Sequence, residues 1–190
     1  MGIDPDEIMG DPDKIAKLSQ VEQERIATAK NLVEQETMHT VDLAYYYLTN
    51  DAFAAVLPEL EIAHFAKMQR LDLRGNSIDD DGLLDLCDCL VSAHNTRLSE
   101  LDISETKVGD RGIKGMIEVM QVIFTITKVE IEGLREVSQE MRGRLEAAMR
   151  RNVQQTEEWK KDERLKDMMA AANKRDHYDE IGLNYVGKPY

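Results

Sequence analysis

The sequence predicts an α/β solenoid of about three strand-helix coils, preceded by a helical N-terminal cap and followed by a charged helix and an extended C-terminal tail. Three observations predict it. The stretch LDLRGNSIDDDG, Leu71 to Gly82, returns thirty residues later as LDISETKVGDRG, Leu101 to Gly112, keeping the apolar, Asp and Gly positions while most others change. A degraded third copy starts at Ile126, so that copies beginning at Met68, Leu98 and Ile126 are offset by 30 and 28 residues. Each copy also switches from period two to helical spacing partway along. Self-similarity at such a period marks stacked supersecondary units, none of which buries its apolar face alone.

The first predicted element is a helix over DPDKIAKLSQVEQERIATAKNLVEQE, from Pro12 to Glu36. Asp11 can cap it, Pro12 suits a first turn, and Asp13 favours the positive dipole end. Ile15, Leu18, Ile26, Ala29 and Val33 form one apolar stripe, interrupted by Glu22. A second helix over Val41 to Thr49 and a third over Asp51 to Lys67 follow, the latter broken at Pro58. The segment LPELEI, Leu57 to Ile62, is an alternative vestigial strand. These helices make residues 1–56 the N-terminal cap and 57–152 the repeat domain.

Within the copies, Leu71 and Leu73, Leu101 and Ile103, and Val129 and Ile131 alternate with Asp72, Asp102 and Glu130, as short strands do. Leu83, Leu86 and Leu90, then Ile113, Met116 and Met120, recur at helical spacing. A repeated strand, turn and helix gives parallel strands with the helices outside. Gly82 and Gly112 are expected just before each helix, in a structural role. Downstream, Gln139 to Lys166 has a helical pattern, whereas Lys174 to Tyr190 is expected to be non-helical; three of the six tyrosines fall there. Residues 153–190 thus form the charged helix and tail.

The pattern LxxLxLxxNxIxxxGxxxL, with Met68 in its first position and then Leu71, Leu73, Asn76, Ile78, Gly82 and Leu86, resembles the leucine-rich repeat of the ribonuclease-inhibitor type. The resemblance implies that Asn76 turns inward to bond the backbone of adjacent coils. Thr106 can do part of that job; Leu134 cannot, and Glu136 and Glu140 replace Ile78 and Gly82, so the third copy ends the solenoid. REVSQEMRGRLEAAMRRN, Arg135 to Asn152, is similar to the helix that finishes tropomodulin repeat domains, a weaker resemblance.

Composition narrows the function. The net charge of −13 disfavours nucleic acid as a partner, because counterion release needs clustered cations. Residues 1–60 hold twelve acids against four bases, net −8, so the acidity sits at the front. No apolar run approaches a membrane span. The first residues lack the apolar core of a secretory leader and the Arg-rich character of a mitochondrial one. Cys87 and Cys89, two apart on a helix, point away from each other and are expected to be free, buried thiols. The four histidines lack metal-ligand spacing, no GxSxG motif occurs, and Asp79, Asp80 and Asp81 fall short of a calcium loop, reading instead as a solvated acidic turn. No catalysis and no cofactor or metal is expected.

Stacking the copies sets Arg70, Glu100 and Lys128 in one row and Asp72, Asp102 and Glu130 in the next. Like charges on adjacent strands destabilise unless cations lie close, and Arg70 and Arg74 can supply these diagonally. The concave-face residues Asp72, Arg74, Asp102, Ser104, Glu130 and Glu132 are therefore candidate protein-binding residues, suited to a basic partner. The tail residues Tyr178, Ile181, Leu183, Tyr185 and Tyr190 are a second candidate set, because a free tail is ordinarily aromatic-poor. The expected function is that of a non-catalytic adaptor or structural subunit within a multi-subunit assembly, cytoplasmic in location and cytoskeletal, ciliary or axonemal in setting. The alternatives are a tropomodulin-like actin regulator and a regulator of a small GTPase.

Overall fold

The structure, a computed structural model, describes residues 18–35, 39–63, 68–92 and 97–180. Its elements run α1 (Gln20–Gln35), β1 (Thr40–Asp42), α2 (Asn50–Ala63), β2 (Arg70–Asp72), α3 (Asp80–Ser92), β3 (Glu100–Asp102), α4 (Asp110–Val122), β4 (Lys128–Glu130) and α5 (Gln139–Glu180). The four strands form one parallel sheet in chain order. Its register pairs Val41 with Leu71, Leu71 with Leu101, and Leu101 with Val129. Those steps are the sequence offsets of 30 and 28, so the repeat period is the strand register. The chain divides into two compact units at Val153 and Gln154.

The core lies between the sheet and the helices as columns running along the stack. Val41, Leu71, Leu101 and Val129 form one; Leu43, Leu73 and Ile103 form the next. Phe53, Leu83, Ile113 and Met141 face them from the helices, with Leu60, Leu90, Met120 and Ala148 further along. All are buried. Each column holds apolar area that a lone coil would leave in water, at roughly 25 cal/mol per Å².

The expected helix over Val41 to Thr49 is instead a strand, a turn and a bridge from Thr49 to Ser77. Val41, Leu43 and Leu48 occupy the positions of Leu71, Leu73 and Ile78, and burying them against the next coil outweighs any local helical preference. The stack therefore has four coils rather than three. Its sheet begins at Thr40, inside the 1–56 segment expected to be a helical cap. The helix expected to break at Pro58 continues from Asn50 to Ala63, and Leu57 to Ile62 are helical rather than a strand. Proline there removes the bond to the Ala54 carbonyl, and Ala54 is exposed, so water can replace it.

At the front, Leu18 and Ser19 precede α1, which begins at Gln20; the expected start at Pro12, with Asp11, Asp13 and Ile15, lies outside the described residues. Ser19 explains the start. Its backbone N–H donates to Glu22 Oε2 at 3.1 Å while the Glu22 N–H donates to Ser19 Oγ at 3.4 Å, a capping box. Glu22, which interrupts the apolar stripe, is thus a cap, and the Ser19 hydroxyl holds its carboxyl below the usual range. Ile26, Ala29 and Val33 bury α1 against α2, with Lys30 and Glu59 paired at 3.2 Å.

At the far end, α5 closes the stack with Met141, Leu145 and Ala148. It runs to Glu180, so Lys174 to Glu180 are helical, contrary to expectation. Beyond Val153 the described stretch is charge-rich, and the pairing of Lys166 with Asp162 at 2.8 Å follows the i,i+4 pattern that supports exposed helices. Among the described residues no helix is long and apolar enough to cross a membrane.

Candidate functional site

The open face of the sheet is built from the polar residues of β1 to β4. Each of the first three strands ends in an aspartate whose carboxylate closes the following turn. Asp42 Oδ1 accepts from the Ala44 N–H at 3.0 Å, Asp72 Oδ1 from the Arg74 N–H at 3.0 Å, and Asp102 Oδ1 from the Ser104 N–H at 2.9 Å. This is why the repeat keeps Asp. In the last coil Glu130 stands there, and the Glu132 N–H donates to Ser104 Oγ at 2.9 Å instead.

The row of like charges is neutralised from within. Arg74 Nη2 donates to Asp102 Oδ2 at 2.8 Å and lies 3.7 Å from Glu130. Arg70 lies 3.4 Å from Asp72 and 3.8 Å from Glu100, while Lys128 joins Glu100 and Glu130. Asp102 is buried, and its field raises the Arg74 pKa further, keeping the guanidinium charged. Of the six face residues singled out from sequence, Asp102 and Ser104 are buried, Asp72, Arg74 and Glu130 are half-buried, and Glu132 is exposed. The structure brings Asp72, Arg74, Asp102 and Glu130 into one network. Of the tail set, Tyr178 falls within the α5 span; Ile181, Leu183, Tyr185 and Tyr190 lie outside the described residues.

Side chains between coils hold this face in place. Asn76 Nδ2 donates to the Leu43 and Leu73 carbonyls, both at 2.8 Å, and its Oδ1 accepts from the Leu48 N–H at 2.9 Å. Thr106 donates to Ile103 O at 2.7 Å, within its own coil. The acidic turn is bonded to its neighbouring coils at Asp79 and Asp80, while Asp81 stays exposed as expected. Asn50, Asp80 and Asp110, each the first residue of its helix, accept from the next coil's Asp79, Gly109 and Ser138 N–H groups at 3.1, 2.7 and 2.7 Å. Asp80 also accepts from the Gly112 N–H at 2.9 Å, so it caps α4, which has no side-chain cap of its own. Asp81 pairs with Arg111.

Gly82 and Gly112 lie in the first helical turn, not before it. A Cβ on Gly112 would come 2.7 Å from Asp80 Oδ1 and 3.2 Å from its Cα; one on Gly82 would come 2.6 Å from Asn50 Oδ1. Close approach of successive coils is the reason for glycine at both. Burial pushes the Cys87 thiol up to about 12, which leaves it protonated and unreactive; Cys89 forms no disulfide and is half-buried rather than buried. Among the described residues no group of three or more His, Cys, Asp or Glu could hold a metal ion.

Sequence reasoning missed a second feature, on the turn ridge beside the face. The residue two beyond the second core position of each strand takes a left-handed backbone: Tyr45 (φ 60°), Gly75 (φ 70°), Glu105 (φ 56°) and Gly133 (φ 74°). The Tyr45 ring lies across Gly75, where any Cβ would run into it, and its hydroxyl donates to Glu105 Oε1 at 3.2 Å. Tyr47 is also left-handed, at φ 54°. Val21, Glu24, Arg25, Thr28 and Tyr45 to Tyr47 line a cleft of about 360 Å³ between α1 and this turn. The available signal was VDL followed by Leu48, at the spacing of LDL followed by Ile78.

The class follows from this architecture: the chain carries leucine-rich repeats. The leucine-rich repeat family matches residues 66–87 and 94–116, the second and third coils. Among solved structures, the C-terminal domain of tropomodulin from Caenorhabditis elegans is similar at TM-score 0.57 and 13% identity, over 77% of this chain and 84% of that one. Leiomodin-1 actin-binding site 2 is similar at TM-score 0.57 and 14% identity, over 81% of this chain and 99% of that one. At these identities the likeness is one of fold. No curated protein sequence matches the chain significantly.

Proposed function

We propose that this protein is a non-catalytic adaptor or structural subunit that binds other proteins through the open face of its sheet, within a larger cytoskeletal assembly. The observation that carries the reading is the leucine-rich repeat itself, matched in the two central coils and presenting an extended charged surface rather than an enclosed reaction site. Glu132, exposed at the edge of the face, suits a partner with basic groups, and Glu130 beside it would have to share Lys128 and Arg74 with such a partner. The set Tyr178, Ile181, Leu183, Tyr185 and Tyr190 serves as a second attachment point.

The test uses the tagged full chain, its Glu132→Lys variant and a version ending at Glu180, each purified from native cells at mild salt with mass spectrometry of the co-purifying proteins. Glu132 is exposed, so charge reversal there spares the fold. A stoichiometric set of structural proteins, depleted by either change, is the expected result. The same set recovered in full from both altered chains would rule out these two surfaces.

A second reading is favoured by the likeness to leiomodin-1 actin-binding site 2, which spans nearly all of that domain. On this reading the chain binds actin directly. Co-sedimentation with filamentous actin decides: pelleting with filaments supports it, and protein remaining in the supernatant at saturating actin counts against it.

A further inference from the structure

The cleft beside α1 is separate from the open face and has its own chemistry. Tyr45 and Tyr47 both hold left-handed backbone, a conformation that glycine adopts at the equivalent of Tyr45 in two other coils. Bulky residues kept in this region mark positions where the surroundings over-determine the geometry, and such positions cluster at binding sites. Here the Tyr45 ring and the Tyr47 backbone are held in place. Tyr45 is held from below by Gly75 and at its hydroxyl by Glu105, and Tyr47 is held by Arg25, whose Nη1 donates to the Tyr47 carbonyl at 3.3 Å. Yet Tyr45 and Tyr47 remain 49% and 60% exposed, and Val21 beside them 55%.

The charges say what fits. The Arg25 guanidinium carbon already sits 5.3 Å from the centre of the Tyr47 ring, so a cation on these rings has a precedent within the molecule. With Arg25 committed to Tyr47, the remaining ionised group in the lining is Glu24. Arg74, the cation acting on the Tyr45 hydroxyl, is taken up by Asp102, whereas Glu24 accepts from Gln20 Nε2 at 3.3 Å and has no cationic partner among the described residues, so the charge left unpaired at the cleft is negative. An apolar side chain would cover the rings while desolvating Glu24, and an acidic one would be repelled.

We propose that this cleft receives a Lys or Arg side chain from an extended basic segment of a partner protein, its aliphatic stem on Tyr45 and Tyr47 and its charge at Glu24. The inference rests on the protein-binding reading above. Its failure is separable, because the Glu132 variant leaves this cleft intact.

The test titrates the full chain with an acetylated and amidated Gly-Lys-Gly-Lys-Gly peptide, following the NMR signals of Tyr45, Tyr47 and Val21. Matched peptides carrying Glu or Leu in place of Lys serve as controls. The Lys peptide is expected to shift the three residues together and saturably, the Glu peptide to leave them unmoved, and Glu24→Gln to weaken binding by about 3- to 10-fold. Tyr47→Ala should weaken it similarly; should that variant unfold, Glu24→Gln, on an exposed position of α1, still decides. Equal shifts with the Leu peptide would overturn the proposal in favour of an apolar occupant. Shifts that follow protein concentration alone would overturn it in favour of a second copy of this chain. Lys-induced shifts unchanged by Glu24→Gln would overturn it in favour of diffuse attraction to an acidic surface.

Discussion

The two central coils and the two outer ones share a backbone but not a sequence pattern. Coils two and three, built on β2 with α3 and β3 with α4, carry the LxLxxNxI or closely related frame and are the ones the repeat family matches. The first coil has Tyr46 where Asn76 stands, and the last has Leu134. The outer coils are nonetheless satisfied. Asn76 reaches back to bond Leu43 O and the Leu48 N–H of coil one. At the other end Asn152 of α5 is buried and donates to Met120 O at 3.0 Å and Ile126 O at 2.9 Å, while Arg142 reaches the Leu134 carbonyl. A central coil must match neighbours on both sides, and only the repeat pattern does this. An outer coil has one repeat neighbour and one helix, so its sequence is free to solve half the problem differently.

The strongest way to break the comparison is at a core column. Leu101→Ala, in the middle of the stack, should cost about 2–5 kcal/mol, because neighbours on both sides prevent collapse of the cavity. Val41→Ala at the edge should cost less, and urea denaturation of both gives the ratio; equal costs would mean that the outer coil is packed as tightly as the centre. Next come the buried amides. Asn76→Ala should cost roughly 2–4 kcal/mol by stranding three backbone groups, and Asn152→Ala a similar amount if α5 truly substitutes for a fifth coil.

Gly75→Ala tests the ridge, at about 1–3 kcal/mol from left-handed strain together with displacement of the Tyr45 ring. Adding Tyr45→Ala should recover the steric part, a coupling that a double-mutant cycle reads directly. The inter-coil ladder has a pH signature. The Asn50 side chain first, then the Asp81 and Gly82 amides, hold the Asp79 carboxyl below the usual range. A lowered folded pKa contributes stability above the unfolded value of about 4, and that contribution is lost as pH falls through the folded one. Asp79→Asn should therefore lower the urea midpoint at pH 7, with the difference from the parent shrinking below about pH 4. Arg111→Ala should have the smallest effect of all. Its pairs with Asp80 and Asp81 are at the surface, and a measurable shift in melting temperature would show that the ladder depends on it.

Much of the fold was legible because stacking forces the same positions to recur. Leu71, Leu101 and Val129 had to be apolar, and their spacing is the register. The first coil escaped because its turn, AYYYLTN, has neither Asn nor Gly at the repeat positions, and three consecutive tyrosines favour no particular period. The polar row of the face was legible, and so was its need for nearby cations. Which carboxylate each cation takes was not: Arg74 reaches across to Asp102, 28 residues on, at 2.8 Å.

The sequence by itself determined the parallel stack, its 30- and 28-residue register, the apolar columns and the acidic balance, since each is a periodic or summed property of the chain. Tertiary structure alone decided that Asp80 caps the helix of the next coil, that Asn152 closes the far end, and that Tyr45 lies over Gly75 and bonds Glu105 to frame a cleft with α1. Those contacts depend on the direction of individual side chains across coils. Residue type constrains such directions only once the backbone on both sides is in place.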